Sequence, residues 1–141
     1  MTMIYWVAAT ASALLLNAEP QSAPPATECS VAGFTPNPIE HVVNYRRDAI
    51  EVRSVQGTLT SVDGRRPIDV SVRFEIRGPG SSGNVRRAVA DREGRFTMDN
   101  VPPGSYCFRA SAIGWQSVVG RITVAPTGPR RTIELTLLLG V

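Results

Sequence analysis

The chain has very few of the residues that most enzyme active sites require. Its 141 residues include one histidine, His41, and two cysteines, Cys29 and Cys107. A single histidine excludes a zinc site with several histidine ligands, and neither cysteine is close to it in sequence. The sequence also lacks the His-Glu-x-x-His, Gly-x-Ser-x-Gly and phosphate-loop patterns of common enzyme families. We therefore predict neither an enzyme nor a cofactor.

Two weaker catalytic interpretations remain as alternatives. Either cysteine could imitate a nucleophile–base pair with His41. The carboxylates of Asp91, Glu93 and Asp99 could serve glycoside hydrolysis or hold a weak Ca²⁺ ion. Turn formation explains these carboxylates better, because they are found beside glycine and asparagine in short polar stretches.

Lysine is absent, so arginine supplies all fifteen positive charges, and the formal net charge is +3. Nucleic-acid binding would require these arginines on one face, with aromatic side chains between them. They lie instead at predicted turns and strand ends, among Asp and Glu residues. This pattern indicates a solvated surface and no nucleic-acid partner, with weak contact to an anionic polymer or membrane surface as the alternative. Four adjacent pairs occur: Arg46-Arg47, Arg65-Arg66, Arg86-Arg87 and Arg130-Arg131.

The N-terminal residues resemble an export signal. Residues 1–18 carry no charged side chain, and the apolar run at residues 7–16 ends in three leucines. Such a run is too short to span a bilayer comfortably. It predicts a cleaved secretory signal peptide, and therefore a secreted, periplasmic or cell-envelope protein. An uncleaved anchor and a plain N-terminal helix are the alternatives.

The next stretch predicts a linker. Residues 19–38 contain five prolines together with Gln, Ser and Thr, a composition that supplies no core. Residues 39–50 fit a short strand and one or two helical turns equally well. The predicted organisation is a signal peptide at 1–18, a linker and N-terminal extension at 19–50, and one folded domain at 51–141.

The folded domain alternates between apolar and polar residues with a period of two, most clearly at residues 69–77. Successive strand side chains point to opposite sides of a sheet, so this pattern predicts one buried face and one solvated face. The apolar side carries Val70, Val72, Phe74 and Ile76. The polar side carries Ser71, Arg73, Glu75 and Arg77.

The same alternation and its turn residues predict the remaining strands. Glycine and proline turns separate short runs, and the run at 85–90 is typical of an edge strand. Together the runs predict an all-β fold, an antiparallel β-sandwich of about seven strands. In the last run, Ile133, Leu135, Leu137 and Leu139 share the predicted buried face. The predicted runs are 55–59, 69–77, 85–90, 95–99, 105–112, 116–124 and 132–139.

The folded domain also contains six short motifs in a defined order and spacing. They are Val55-Gln56-Gly57-Thr58-Leu59, Asp63-Gly64, Pro67-Ile68, the run Ala90–Phe96, Val101-Pro102-Pro103-Gly104-Ser105-Tyr106, and Ala112-Ile113-Gly114-Trp115. Together they resemble the carboxypeptidase regulatory-like domain, a transthyretin-like sandwich, over about residues 52–139. The resemblance implies a non-catalytic module of a carbohydrate-binding-like fold. Such modules are often attached to peptidases, surface proteins or outer-membrane receptors.

The function predicted from these observations is a non-catalytic interaction or structural module of the cell envelope. Its partner would be a protein or glycan of the envelope, and a membrane only if the signal segment stays uncleaved. The alternative is a carbohydrate-binding module in which Trp115, after Gly114 at a strand-to-strand turn, stacks on a sugar ring. The competing interpretation of Trp115 is that it caps one end of the core.

The two cysteines predict a disulfide between Cys29 and Cys107. An export signal places them in an oxidising compartment, where an even cysteine count usually means pairing. Tyr106 and Phe108 are predicted to face the core, so Cys107 would face the outside of the sheet, where the linker could pass. Two free thiols in a cytosolic protein are the alternative.

Overall fold

A computed structural model describes residues 29–36, 42–62, 70–78 and 84–140. Within these ranges the chain forms nine strands and no helix, so no membrane-spanning helix is found in this part of the protein. The predicted signal peptide, His41 and the pair Arg65-Arg66 lie outside the described residues. The strands are β1 (Val43–Tyr45), β2 (Ile50–Val52), β3 (Val55–Ser61), β4 (Arg73–Arg77), β5 (Val85–Val89), β6 (Arg95–Met98), β7 (Gly104–Ser111), β8 (Ser117–Val124) and β9 (Ile133–Leu137).

The strands form two sheets, which confirms the all-β sandwich. The larger sheet has the order β1-β8-β7-β4-β5, and β2 pairs with the same edge of β8 as β1 does, further along that strand. The smaller sheet has the order β6-β3-β9. The predicted edge strand, β5, does lie at an edge. The fold nevertheless differs in detail from an antiparallel sandwich of about seven strands. It has nine strands in the described residues, and β1 and β2 run parallel to β8, as β3 does to β9.

The parallel pairs follow from the chain path. Strands close in sequence, such as β7 and β8, can turn back on each other and pair antiparallel, whereas distant strands need not. The ambiguous stretch at 39–50 contributes β1 and the first residue of β2, both of which extend the edge of β8. Residues before the predicted domain therefore complete the larger sheet.

The core lies between the inner faces of the two sheets, where the predicted alternation is confirmed for Val72, Phe74 and Ile76, while Val70 is only half-buried. Phe74 is fully buried and stacks on Phe96 of the opposite sheet, with ring centroids 4.3 Å apart, and on Phe108 at 5.5 Å. Val72 is buried although β4 begins at Arg73, later than predicted. Stacked aromatic pairs add to the stabilisation from burial alone.

Gly57 is required where three strands meet closely. It lies in β3 between β6 and β9, and a β-carbon on it would come within 2.0 Å of the carbonyl oxygen of Ile133. No other residue fits this position without moving the β9 backbone.

The prediction for Leu139 is wrong. Ile133, Leu135 and Leu137 are buried as expected, but Leu139 is 60% exposed. After Leu137 the chain leaves the smaller sheet, and Leu139 pairs in an isolated bridge with Trp115. The period of two holds only while a strand stays in one sheet, so the alternation ends at Leu137.

Candidate functional site

The most elaborate arrangement of side chains lies on the outer face of the larger sheet, under residues 29–36, here called the strap. The strap is anchored by the predicted disulfide, which is confirmed: Cys29 is bonded to Cys107, with the two Cα atoms 5.4 Å apart. Phe108 is fully buried on the inner face, so Cys107 projects outward, as expected. Phe34 and Cys29 of the strap are themselves only 6% and 1% exposed.

The strap covers charged side chains, and for two of them the predicted solvated face is wrong. Glu75 and Arg77 are 0% and 6% exposed, and Arg109 of the neighbouring strand is 1% exposed. The alternating pattern correctly places Glu75 and Arg77 on the face opposite the core. It could not reveal that a distant segment covers this face.

Glu75, Arg77, Arg87 and Arg109 form a charged cluster next to the strap. Within it, Glu75 accepts hydrogen bonds from the strap and from Arg87. The hydroxyl of Thr35 donates to Glu75 Oε2 at 2.8 Å, and the guanidinium of Arg87 lies 3.4 Å from the same oxygen. Arg87 also donates to the Thr35 hydroxyl, and Arg109 donates to the Thr35 carbonyl oxygen. Thr35 is therefore the strap residue that binds Glu75, Arg87 and Arg109.

Arg77 contacts the strap at two points, Ser30 and Phe34. Its guanidinium lies over the ring of Phe34, 5.1 Å from the centroid, and donates to the carbonyl oxygen of Ser30 at 3.5 Å. A cation over an aromatic face is attracted more strongly when both groups are removed from water. The strap is thus bound at both of its ends and by a covalent bond.

The cluster is not arranged for catalysis while the strap is in place. The Glu75 side chain is fully buried, and its Oε1 atom accepts no hydrogen bond from the described residues. A general acid or base must come within hydrogen-bond distance of a substrate atom, and the strap blocks that approach. The arrangement fits a structural role for Glu75.

Asp91, one of the three carboxylates considered for glycoside chemistry, is engaged in a turn. Asp91 Oδ1 accepts hydrogen bonds from the backbone N–H groups of Glu93 and Arg95, each at 2.9 Å. The Arg95 backbone N–H lowers the pKa of Asp91 most. Loss of hydration acts in the opposite direction and raises the pKa of Asp91, whereas the Glu93 N–H and the Arg95 guanidinium lower it further. The expected turn role of Asp91 is confirmed, and Gly94 closes the turn with a φ of 78°.

Metal ligands are not gathered together in the part of the chain that the structure describes, where no three His, Cys, Asp or Glu residues form a cluster. His41, which the alternative nucleophile–base pairing would need, lies outside the described residues. Both cysteines are consumed by the disulfide. A thiol in a disulfide cannot act as a nucleophile.

Trp115 lies at the end of the sandwich, between β7 and β8. It is half-buried and packs against the core, and its backbone N–H donates to the Ala112 carbonyl oxygen at 3.1 Å. Ile113, two residues earlier in the chain, is 56% exposed. Leu139, which pairs with Trp115 in the isolated bridge, is 60% exposed. The position fits a cap on the core and leaves part of the ring surface open. Contact with a ligand at Trp115 stays a prediction.

Two mixed sheets, a disulfide and a charged cluster covered by a strap define a disulfide-bonded β-sandwich module. The carboxypeptidase regulatory-like domain family matches residues 54–138, which is more than half of the chain. The chain belongs to this family, whose domains are non-catalytic regulatory domains. A comparison with curated proteins finds no match. The strap, β1 and β2 all precede the matched residues.

Proposed function

We propose that this chain is a secreted or cell-envelope module that binds a partner and performs no catalysis. The observation that carries the proposal is the disulfide between Cys29 and Cys107. Disulfides form and persist in oxidising compartments and are rare in the cytosol. The apolar run at residues 7–16 supplies a route to such a compartment.

The proposed partner is a protein or glycan of the cell envelope. Nucleic acid is a poor candidate because the described arginines are spread over several surfaces. Arg87 and Arg109 bind the strap, whereas Arg86 donates to the carbonyl oxygens of Asp99 and Asn100. Binding along a phosphate backbone would need a continuous stripe of available arginines, and these three are engaged by the protein itself.

Export and disulfide formation can be tested together. The full chain is expressed in a bacterial host, fractionated, alkylated without reduction and analysed by mass spectrometry. We expect exported protein that starts after residue 18 and carries no alkyl group on Cys29 or Cys107. A variant lacking residues 2–18 is the matched control and should stay in the cytosol with both thiols modified. Full-length chain in the cytosol with both cysteines alkylated would overturn the proposal.

A second candidate function is sugar binding at Trp115. The observation in its favour is that Trp115 is only half-buried and that its partner in the isolated bridge, Leu139, is exposed, so that apolar groups are open to a ligand at this end of the sandwich. A glycan array on the mature domain distinguishes this candidate from a protein partner. Binding of a defined glycan that is lost in Trp115→Ala would support it.

A further inference from the structure

An open cavity of about 230 Å³, lined by exposed residues, lies on the surface at the end of the sandwich opposite to Trp115. It is formed where the chain passes from β2 into β3 and by the residues that lead into β9. All of the lining residues are polar, three are arginines, and none is acidic. They are Arg53, Ser54, Gln56, Arg130, Arg131 and Thr132.

The backbone around this cavity is held in place by hydrogen bonds. The backbone N–H of Arg53 donates to the Pro129 carbonyl oxygen at 3.2 Å, and Arg53 Nε donates to the Gly128 carbonyl oxygen at 3.1 Å. The Ala125 N–H donates to the Val52 carbonyl oxygen at 3.0 Å. The segment before β9 is therefore fixed against the end of β2, so the three arginines are brought together by the fold.

In the part of the chain that the structure describes, the arginines of the cavity have no acidic partner. Arg130 and Arg131 make no ion pair there, and Arg53 uses only its Nε atom. Three positive charges around one cavity repel each other, and a bound anion would relieve this repulsion. The chain places a second adjacent pair, Arg46-Arg47, on an exposed surface elsewhere.

We propose that this cavity binds a tetrahedral oxyanion, a phosphate or sulfate group. Guanidinium groups donate two parallel hydrogen bonds to such oxygens, and hydroxyl and amide groups complete the shell. A dianion balances three nearby positive charges better than a single carboxylate does. The volume of 230 Å³ is far above the roughly 10–15 Å³ that one water needs, so part of a molecule carrying the group also fits.

This site is separate from the proposed function. It does not depend on export, on the disulfide or on Trp115, which lies at the far end of β8. A protein that stays in the cytosol would retain the site, and an exported protein could lack oxyanion binding. The two proposals therefore fail in different experiments.

The test is a titration of the folded protein with inorganic phosphate, inorganic sulfate and a sugar phosphate at low, constant ionic strength. Backbone amide shifts in NMR spectra are followed, with sodium chloride as the control salt. We expect saturable shifts centred on residues 53–56 and 130–132. Tighter binding of the sugar phosphate than of inorganic phosphate supports the proposal and identifies a carried group, whereas equal binding supports a free oxyanion.

The matched variants are Arg130→Gln/Arg131→Gln and Arg46→Gln/Arg47→Gln, which remove the same charge from two exposed sites. We expect the first to weaken binding by about tenfold or more and the second to leave it nearly unchanged. Equal losses in both variants would mean a general charge effect and would overturn the proposal. Shifts in the parent protein that are centred elsewhere, or that do not saturate, would also overturn it, whether or not the variants fold.

Discussion

Removing the disulfide should cost this domain much of its stability. The cross-link joins residues 78 positions apart in sequence. Closing a loop of that length restricts the unfolded chain, and the chain-entropy treatment gives about 4.5 kcal/mol. Small domains have a total stability of only about 5–15 kcal/mol. We therefore expect Cys29→Ala/Cys107→Ala to shift the urea midpoint strongly downward.

The assay compares urea unfolding of the oxidised parent, the reduced parent and the double variant. An unfolded chain without the cross-link exposes more surface, so the slope of free energy against urea concentration should also increase. Thr35→Ala, with the disulfide intact, is the control for lost strap contacts. It removes the hydroxyl that donates to Glu75 Oε2, which we expect to cost about 1.5–3 kcal/mol without a change of slope. A double variant with the midpoint and slope of the oxidised parent would refute the reasoning.

Three further predictions concern the core, the turn and the end of the sandwich. Val72→Asp should destabilise the domain by several kcal/mol because it buries an unpaired charge, whereas Ser71→Asp on the exposed side should be nearly silent; equal thermal melts would reject the strand register. Asp91→Asn should destabilise the protein at neutral pH, and the difference should shrink as the pH falls through the lowered pKa of Asp91, since the carboxylate then becomes protonated in the parent. Urea melts across the acid range check this sign. Trp115→Ala should cost about 2 kcal/mol if the ring caps the core, and a variant that melts like its parent but loses a glycan ligand would favour sugar binding.

Much of the inner structure could be predicted because it depends on local pattern. Phe74 and Ile76 alternate with polar residues, and that period alone determines which side of the sheet is apolar. The same alternation placed Cys107 on the outer face. The even cysteine count and the export signal then predicted its disulfide with Cys29. The Asp91 turn could be predicted because its hydrogen bonds reach only two and four residues along the chain.

The features that could not be predicted depend on contacts between distant segments. Glu75 and Arg77 have the polarity of solvated residues, and nothing near them in sequence indicates a cover. Thr35 lies 40 residues from Glu75. The cavity at Arg53 likewise requires two segments that meet only in the fold, although the pair Arg130-Arg131 is visible as a motif.

The strap and the disulfide depend on each other energetically. Every buried polar side chain of the larger sheet lies on its outer face: Glu75, Arg77, Arg109, Ser111 and Ser117. Moving charges such as Glu75 and Arg109 out of water costs several kcal/mol each, and their new partners offset this cost only when the geometry is good. Strap contacts alone therefore provide little net stability. A cross-link that already holds Cys29 at the sheet removes most of the entropy cost of docking the strap, so the cluster can remain covered. By this argument, reduction should expose Glu75 and Arg109 before the core between the sheets unfolds.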